Sequence, residues 1–180
     1  MAEPLEPPLL DAAKFALDMS VDDRLRSIPG NDEITGRFRS GIAPQADITD
    51  EAPAPRNFVG ATGGALHRAV GVAELPDDIV EVTICTYDTP GLYAQPTSGK
   101  LVEPDPGRPF GIQRPLVQWT DRPAADGTIP VGPRWLWVGE TMTYNMTPEQ
   151  IAAVCEPFKP EPFIQQMPDP TTAIPAPTTR

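Results

Sequence analysis

The stretch IVEVTICTY, Ile79–Tyr87, alternates side chains in the manner of a β-strand. β-Branched residues dominate it, as a pleated surface prefers. It is bounded by two turn signals, Pro-Asp-Asp before it and Asp-Thr-Pro-Gly after it. We therefore predict a strand with two distinct faces. One face carries Val80, Val82, Ile84 and Thr86, and the other carries Glu81, Thr83, Cys85 and Tyr87.

Three downstream segments also have strand patterns. They lie around Leu92-Tyr93, at residues 116–120 and at residues 134–144. In the last of them, Trp135 and Trp137 alternate with Leu136 and Val138. Turn-rich connections separate these segments, so we predict an antiparallel sheet of three or four strands.

Helical patterns lie mostly upstream. Apolar residues recur at three- and four-residue steps over residues 9–27. Ser20, followed by two aspartates, also fits a helix start, so this segment is one helix or two short ones. We expect a local helix near residues 34–38 and a short one over residues 65–70, after a glycine-rich turn.

The C-terminal part contains a clear helix start. Thr147 can cap, Pro148 suits the first helical position, and Gln150 can complete a capping box. Pro157 blocks continuation, so this helix is short.

The order of these elements predicts an α+β domain, in which N-terminal helices pack on a small curved antiparallel sheet and a short C-terminal helix follows. We expect a flexible segment at residues 1–8 and one domain at residues 9–165, with an irregular stretch at about 40–56. Residues 166–180, rich in Pro and Thr, are predicted to be a disordered tail.

The composition argues against several classes of function. Asp and Glu number 25 and Lys and Arg number 14, giving a net charge of −11. This charge repels phosphate backbones and anionic lipids, so we expect no nucleic-acid partner. No apolar run is long enough for a transmembrane segment. The start, MAEPLEPPLL, lacks the basic residues of a secretory signal. We expect an extracytoplasmic location if a signal has been trimmed, and a cytoplasmic one otherwise.

The chain has two cysteines, Cys85 and Cys155. A disulfide between them would close a loop of about 70 residues and contribute on the order of 4 kcal/mol. Two buried free thiols acting as small hydrophobes are the other interpretation, and the residues leave both open. A catalytic cysteine is less favoured because His67 is the only histidine available as its base.

Large aromatic residues are the candidates for a ligand site. They are Tyr93, Trp119, Trp135 and Trp137. Binding sites are concave and mostly apolar, although core packing is the commoner role of such residues. With a single histidine we expect no metal site, and no motif points to a cofactor.

Several motifs together resemble a known group of proteins. They are CTYDTPGLY, SGKLV, RPLVQWT, PRWLWVGE and EPFIQQMPDP, within residues 79–170. In these the chain looks like small secreted or lipid-anchored proteins of mycobacteria and related actinobacteria, which resemble the cone-shaped nuclear-transport-factor/SnoaL-like superfamily. The resemblance implies a cell-envelope location and a disulfide, and it implies no catalytic residues.

We therefore expect a non-enzymatic, extracytoplasmic domain that binds a protein partner or a small apolar ligand. One alternative is an enzyme on the cone-shaped fold that uses His67 with an aspartate. Another is a cytoplasmic or phage structural protein with free thiols, held in an assembly by its extended arms.

Overall fold

The computed structural model describes residues 6–26, 32–46, 58–62, 65–87, 93–96 and 110–160. The helices are α1 (Leu9–Arg26), α2 (Asp32–Gly41) and α3 (Pro148–Cys155), with 3-10 turns at Pro44–Ala46 and Glu156–Phe158. The strands are β1 (Phe58–Thr62), β2 (Leu66–Leu75), β3 (Ile79–Tyr87), β4 (Tyr93–Pro96), β5 (Phe110–Gln113), β6 (Pro115–Thr120) and β7 (Arg134–Glu140). Two N-terminal helices precede an antiparallel sheet, so the predicted α+β class is confirmed. The predicted tail at residues 166–180 lies outside the described residues.

The main sheet has the order β2-β3-β6-β7, and β5 also pairs with β3. β5 and β6 lie end to end beside β3 in one register, since Gln113 faces Ile84 and Leu116 faces Glu81. The break between them falls at Arg114; the next residue, Pro115, begins β6 and has no N–H to donate to a partner strand. β1 and β4 form a separate two-stranded antiparallel sheet.

Both faces of β3 are covered, whereas alternation of this kind is typical of a strand with one face exposed to solvent. Val80, Val82 and Ile84 form a core cluster with the alanines of α1. On the opposite face, Cys85 and Tyr87 pack with residues of α3. The main sheet therefore lies between α1 on one side and α3 on the other.

Small residues let α1 lie close to the sheet. Ala12, Ala13 and Ala16 are buried against it. The helix is continuous over 18 residues. Ser20 does not start a second helix; its hydroxyl donates to the side-chain oxygen of Gln113 on β5.

The helix α2 packs on α1, and its last residue, Gly41, lies close to the Met19 side chain. A Cβ atom placed on Gly41 would lie 2.5 Å from the sulfur of Met19, so this position suits only glycine without rearrangement. Phe38 and Ile42 fill the same cluster together with Met19 and Trp137. The following segment covers the outer edge of β7, where the Ala43 N–H donates to the Trp137 carbonyl at 2.8 Å.

The predicted short helix at residues 65–70 is wrong, since this segment belongs to strand β2. β2 pairs with β3 from Leu66 opposite Tyr87 to Leu75 opposite Ile79. A register shift between Ala69 and Gly71 interrupts its alternation, which hid the strand pattern in the sequence. Long-range pairing with β3 overrides the weak local preference.

β7 is shorter than the predicted strand over residues 134–144. It ends at Glu140, whose partner is Pro115 at the start of β6. The next residue, Thr141, donates its N–H to the carbonyl of Arg114 at 2.9 Å before the chain turns toward α3.

Candidate functional site

A disulfide joins the sheet to the last helix. Cys85 on β3 and Cys155 at the end of α3 are bonded, with their Cα atoms 5.6 Å apart, within the usual range for such a bond. Both residues are completely buried, beside Tyr87, Phe110 and Ile151. The Tyr87 hydroxyl donates to the Cys155 carbonyl at 2.7 Å. The helix is thus attached by a covalent bond, a hydrogen bond and apolar packing.

The helix that carries Cys155 begins as the sequence predicted. The Thr147 hydroxyl accepts from the Gln150 N–H at 3.3 Å, and the Gln150 side chain accepts from the Thr147 N–H at 2.8 Å. This capping box satisfies two backbone donors at the start of α3.

The structure brings two of the predicted aromatic residues together. Trp119 on β6 faces Trp135 on β7, with ring centroids 5.5 Å apart and the rings edge to face. Trp119 keeps 54% of its surface exposed, whereas Trp135 packs partly against the core under α1. A large aromatic side chain is therefore presented to solvent in a fixed orientation.

The other two predicted residues lie elsewhere. Trp137 is 4% exposed and sits in the core, edge to face with Phe38 at a centroid distance of 6.0 Å. Tyr93 begins β4 in the separate β1–β4 sheet, and its side chain lies outside the described residues. Trp119 and Trp137 therefore differ in their surroundings, since one is exposed and the other belongs to the core.

Acidic residues flank the exposed tryptophan. Asp77 and Asp78 form the β2–β3 turn, which is fixed to β6 because the Gln118 side chain donates to the Asp77 carbonyl at 2.7 Å. Asp121 follows β6 directly. All three aspartates are exposed. We name Trp119, Trp135 and these aspartates the Trp119 surface.

The connection from β6 to β7, residues 121–133, lies at the same end of the sheet. It carries Ile129 and Val131, which are among the most exposed apolar residues of the described chain. This end of the molecule therefore combines apolar and acidic groups.

His67 lies on β2, on the side of the sheet that faces α1. Its Nδ1 is 3.3 Å from the Thr86 hydroxyl on the neighbouring strand. Burial, and then the charge of Arg24, lowers the pKa of His67. Among the described residues no aspartate lies within hydrogen-bonding distance of it. The structure thus places the imidazole beside a hydroxyl group, and not in a histidine–aspartate pair among the described residues.

A buried carboxylate was not predicted from the sequence. Glu81 is only 7% exposed and accepts from Arg114 and from the Thr141 hydroxyl, each at 2.5 Å. A second ion pair joins the buried Asp22 of α1 to Arg37 of α2. Each of these buried carboxylates thus has an arginine partner that balances its charge. In the sequence, the one indication that Glu81 would need a partner of opposite charge was its position within the apolar strand β3.

Neither a metal-binding cluster nor a membrane-spanning helix occurs among the described residues. No group of three or more His, Cys, Asp or Glu side chains is arranged to hold a metal ion. Within the same residues, no helix has both the length and the apolar character needed to cross a membrane.

Comparison of the chain with protein-family models, with curated proteins and with solved structures found no match.

Proposed function

We propose that this protein is a non-enzymatic domain that works outside the reducing cytoplasm and binds a protein partner through the Trp119 surface. The observation that carries the proposal is a tryptophan that is more than half exposed yet held by a second ring. Exposed, rigid aromatic residues are typical of the centres of protein interfaces. The resemblance to secreted or lipid-anchored actinobacterial proteins agrees with this proposal.

The disulfide supports the location. Stable disulfides persist in oxidising compartments and are rare in the cytoplasm. The bond between Cys85 and Cys155 is buried in a core cluster, which is typical of a structural bond rather than of a redox-active one.

A protein partner fits the geometry better than a small apolar ligand. Small ligands occupy concave sites that enclose most of their surface. Trp119 is open to solvent, and Trp137 is used by the core, so these side chains do not form such an enclosure. An open aromatic surface instead suits contact with another protein surface.

Charge complementarity indicates the chemistry of the partner. The exposed Asp77, Asp78 and Asp121 flank the ring pair, and the whole chain carries a charge of −11. A lysine or arginine of the partner would meet both these carboxylates and the face of Trp119. The occupant we propose is a protein segment that combines an apolar side chain with basic residues.

Selection from a displayed library of random peptides tests this proposal. We expect the peptides enriched on the wild-type protein to be rich in Lys or Arg together with aromatic or aliphatic residues. Trp119→Ser should weaken binding of a selected peptide by about 30-fold, the effect of losing an interface hot spot. Added salt should also weaken binding.

Tyr144→Ser is the matched control, because Tyr144 is an exposed aromatic residue in the connection between β7 and α3. It should leave peptide affinity unchanged. The proposed surface would be contradicted if the selected peptides lacked basic residues, or if a peptide bound wild type and the Trp119→Ser variant with equal affinity. Saturable binding of an apolar dye that Trp119→Ser abolishes would favour the small-ligand alternative.

The location is tested by intact mass after thiol alkylation, using unfolded protein isolated from its native host. We expect both cysteines to resist alkylation until a reductant is added. Free alkylation without reductant would show that the disulfide is absent in the cell. The cytoplasmic or assembly-protein alternative would then replace the extracytoplasmic one.

A further inference from the structure

Arg134, the first residue of β7, has an unusual environment. Both Nη atoms of its guanidinium are buried, and neither has a hydrogen-bond partner among the residues that the structure describes. Within the same part of the chain, no other buried side-chain nitrogen or oxygen is unpaired in this way. The buried carboxylates contrast with it, since Glu81 and Asp22 both have arginine partners.

A buried guanidinium without a partner is costly to the fold. Burial removes water from the two Nη groups, and no protein acceptor replaces it among the described residues. An apolar side chain of similar size at such a position is generally neutral or stabilising. The unpaired arginine therefore points to an anion that is bound in the functional protein.

Arg134 and the Trp119 surface lie on opposite faces of the sheet. Alternation along β7 puts Arg134 on the same face as Leu136, which packs with Ala43 and Ala124, whereas Trp135 faces α1. A ligand at Arg134 would thus be independent of a partner bound at Trp119. This inference does not rest on the proposed function.

The chain next to Arg134 is weakly attached. In the β6–β7 connection, Ala124 donates its N–H to the Thr128 carbonyl at 3.1 Å, and Ala125 donates to the Ile42 carbonyl at 2.8 Å. Residues 129–133 make no backbone hydrogen bond with any other described residue. This segment adjoins Arg134 in the chain and can shift without breaking such bonds.

We propose that Arg134 binds the carboxylate of a small organic acid. The planar guanidinium presents two Nη donors that match the two oxygens of a carboxylate. A single positive charge balances one carboxylate, whereas a phosphate dianion would leave excess negative charge in a protein that is already strongly acidic. The site is therefore selective for a monovalent carboxylate over phosphate.

Thermal unfolding of the full chain tests the site, with acetate as the probe and sodium chloride of equal ionic strength as the reference. Acetate at about five times its dissociation constant should raise the Tm of the wild-type protein by about 2–4 °C. Phosphate at equal ionic strength should raise it less. The Arg134→Met variant should lose the acetate effect and, in chloride alone, should unfold at a higher temperature than wild type.

Three results of this experiment would overturn the proposal. An acetate effect that persists in Arg134→Met would place the anion elsewhere. A lower Tm of Arg134→Met in chloride would show that the guanidinium already has a partner. Absence of any acetate effect on the wild type up to about 0.5 M, where even weak sites of this kind respond, would remove the site.

A second measurement does not depend on the variant being stable. Nuclear magnetic resonance of the arginine side chains of the wild-type protein should show one guanidinium signal that moves with acetate and saturates. Arg134→Lys assigns that signal by its disappearance. A signal that belongs to another arginine, or no saturable movement, would contradict the proposal.

Discussion

His67 shows how one side chain can make stability depend on pH. Burial lowers its pKa, with a smaller contribution from Arg24, so the folded state favours the neutral ring. The unfolded chain binds the proton more tightly, near the usual pKa of about 6.5. The stability contributed by the neutral ring is therefore present above that pH and is lost as the pH falls from there through the lower pKa of the folded state.

The variant His67→Gln should remove this dependence of stability on pH. The amide cannot titrate but can still bond with Thr86, the neighbour of His67 on β3. Between about pH 7.5 and pH 5, the free energy of unfolding should fall more steeply in wild type than in the variant. Urea unfolding at a series of pH values measures the free energy of unfolding of both proteins. Parallel curves would show that His67 titrates alike in both states.

Tyr87 is a second residue whose contribution to the free energy of unfolding can be measured by itself. Its hydroxyl donates to the Cys155 carbonyl inside the core. Tyr87→Phe keeps the ring packing but leaves a buried carbonyl without this donor, so the free energy of unfolding should fall by about 1–2 kcal/mol. Tyr144→Phe removes a hydroxyl from an exposed ring and serves as the control, with no expected change. Equal effects of the two changes would mean that the buried bond contributes nothing.

Among single residues, the sequence predicted those whose role is local. The capping pattern at Thr147 and the alternation around Cys85 needed only near neighbours in the chain. The sequence did not show that Trp137 would enter the core while Trp119 stays exposed. That difference depends on where α1 and α2 cover the sheet. Arg134 likewise gave no signal, since its burial depends on the whole arrangement around β7.

At the scale of elements, the contribution of the N-terminal cap of α3 to stability can be measured directly. Thr147→Ala removes the hydroxyl that accepts from the Gln150 N–H, and it should lower the free energy of unfolding by about 1 kcal/mol. Thr147→Ser keeps an accepting hydroxyl and should change little. Urea unfolding with the disulfide intact measures the difference. A serine variant as unstable as the alanine variant would contradict a role for the cap.

The same scale explains which elements could be predicted. β3 and α1 have periodic apolar residues over most of their length, so each was visible in the sequence. The first half of β2 was mistaken for a short helix at residues 65–70, because the register shift breaks its alternation. Pairing with β3 makes this segment a strand. β5 has four residues, too few to show a period, and it exists as the continuation of β6 along β3.

At the scale of the whole molecule, the disulfide joins elements that are far apart in sequence. Cys85 and Cys155 are separated by 70 residues, and a crosslink over such a loop restricts the unfolded chain strongly. The double variant Cys85→Ala/Cys155→Ala should lose about 2–5 kcal/mol of unfolding free energy. Urea unfolding with and without dithiothreitol measures this loss.

The reductant supplies the control for that prediction. It should lower the stability of the wild type to about the level of the double variant, and it should not affect the double variant. A wild type that is unchanged by a reductant, although its thiols become alkylated, would show that packing alone holds α3.

The overall class was predictable because helical and strand patterns occur in separate blocks of the chain. The arrangement of the layers was not, since it requires knowing which face of β3 meets which helix. The two alternating sets of side chains at Ile79–Tyr87 were visible as a pattern, but either set could have met α1. The face of β3 that lies against α1 is the one with Val82 and Ile84, over which the alanines of α1 fit closely.

The bond between β3 and α3 also changes what a protease can do to this molecule. A single cut of the backbone anywhere between Cys85 and Cys155 divides the chain into two pieces that remain covalently linked. After a cut in the β4–β5 connection, for example, one piece contains β2 and β3 and the other contains β5 to β7. The two pieces still pair with each other in the main sheet, because β3 lies beside β5 and β6. Such a cut would therefore convert the domain into a two-chain protein without releasing either half.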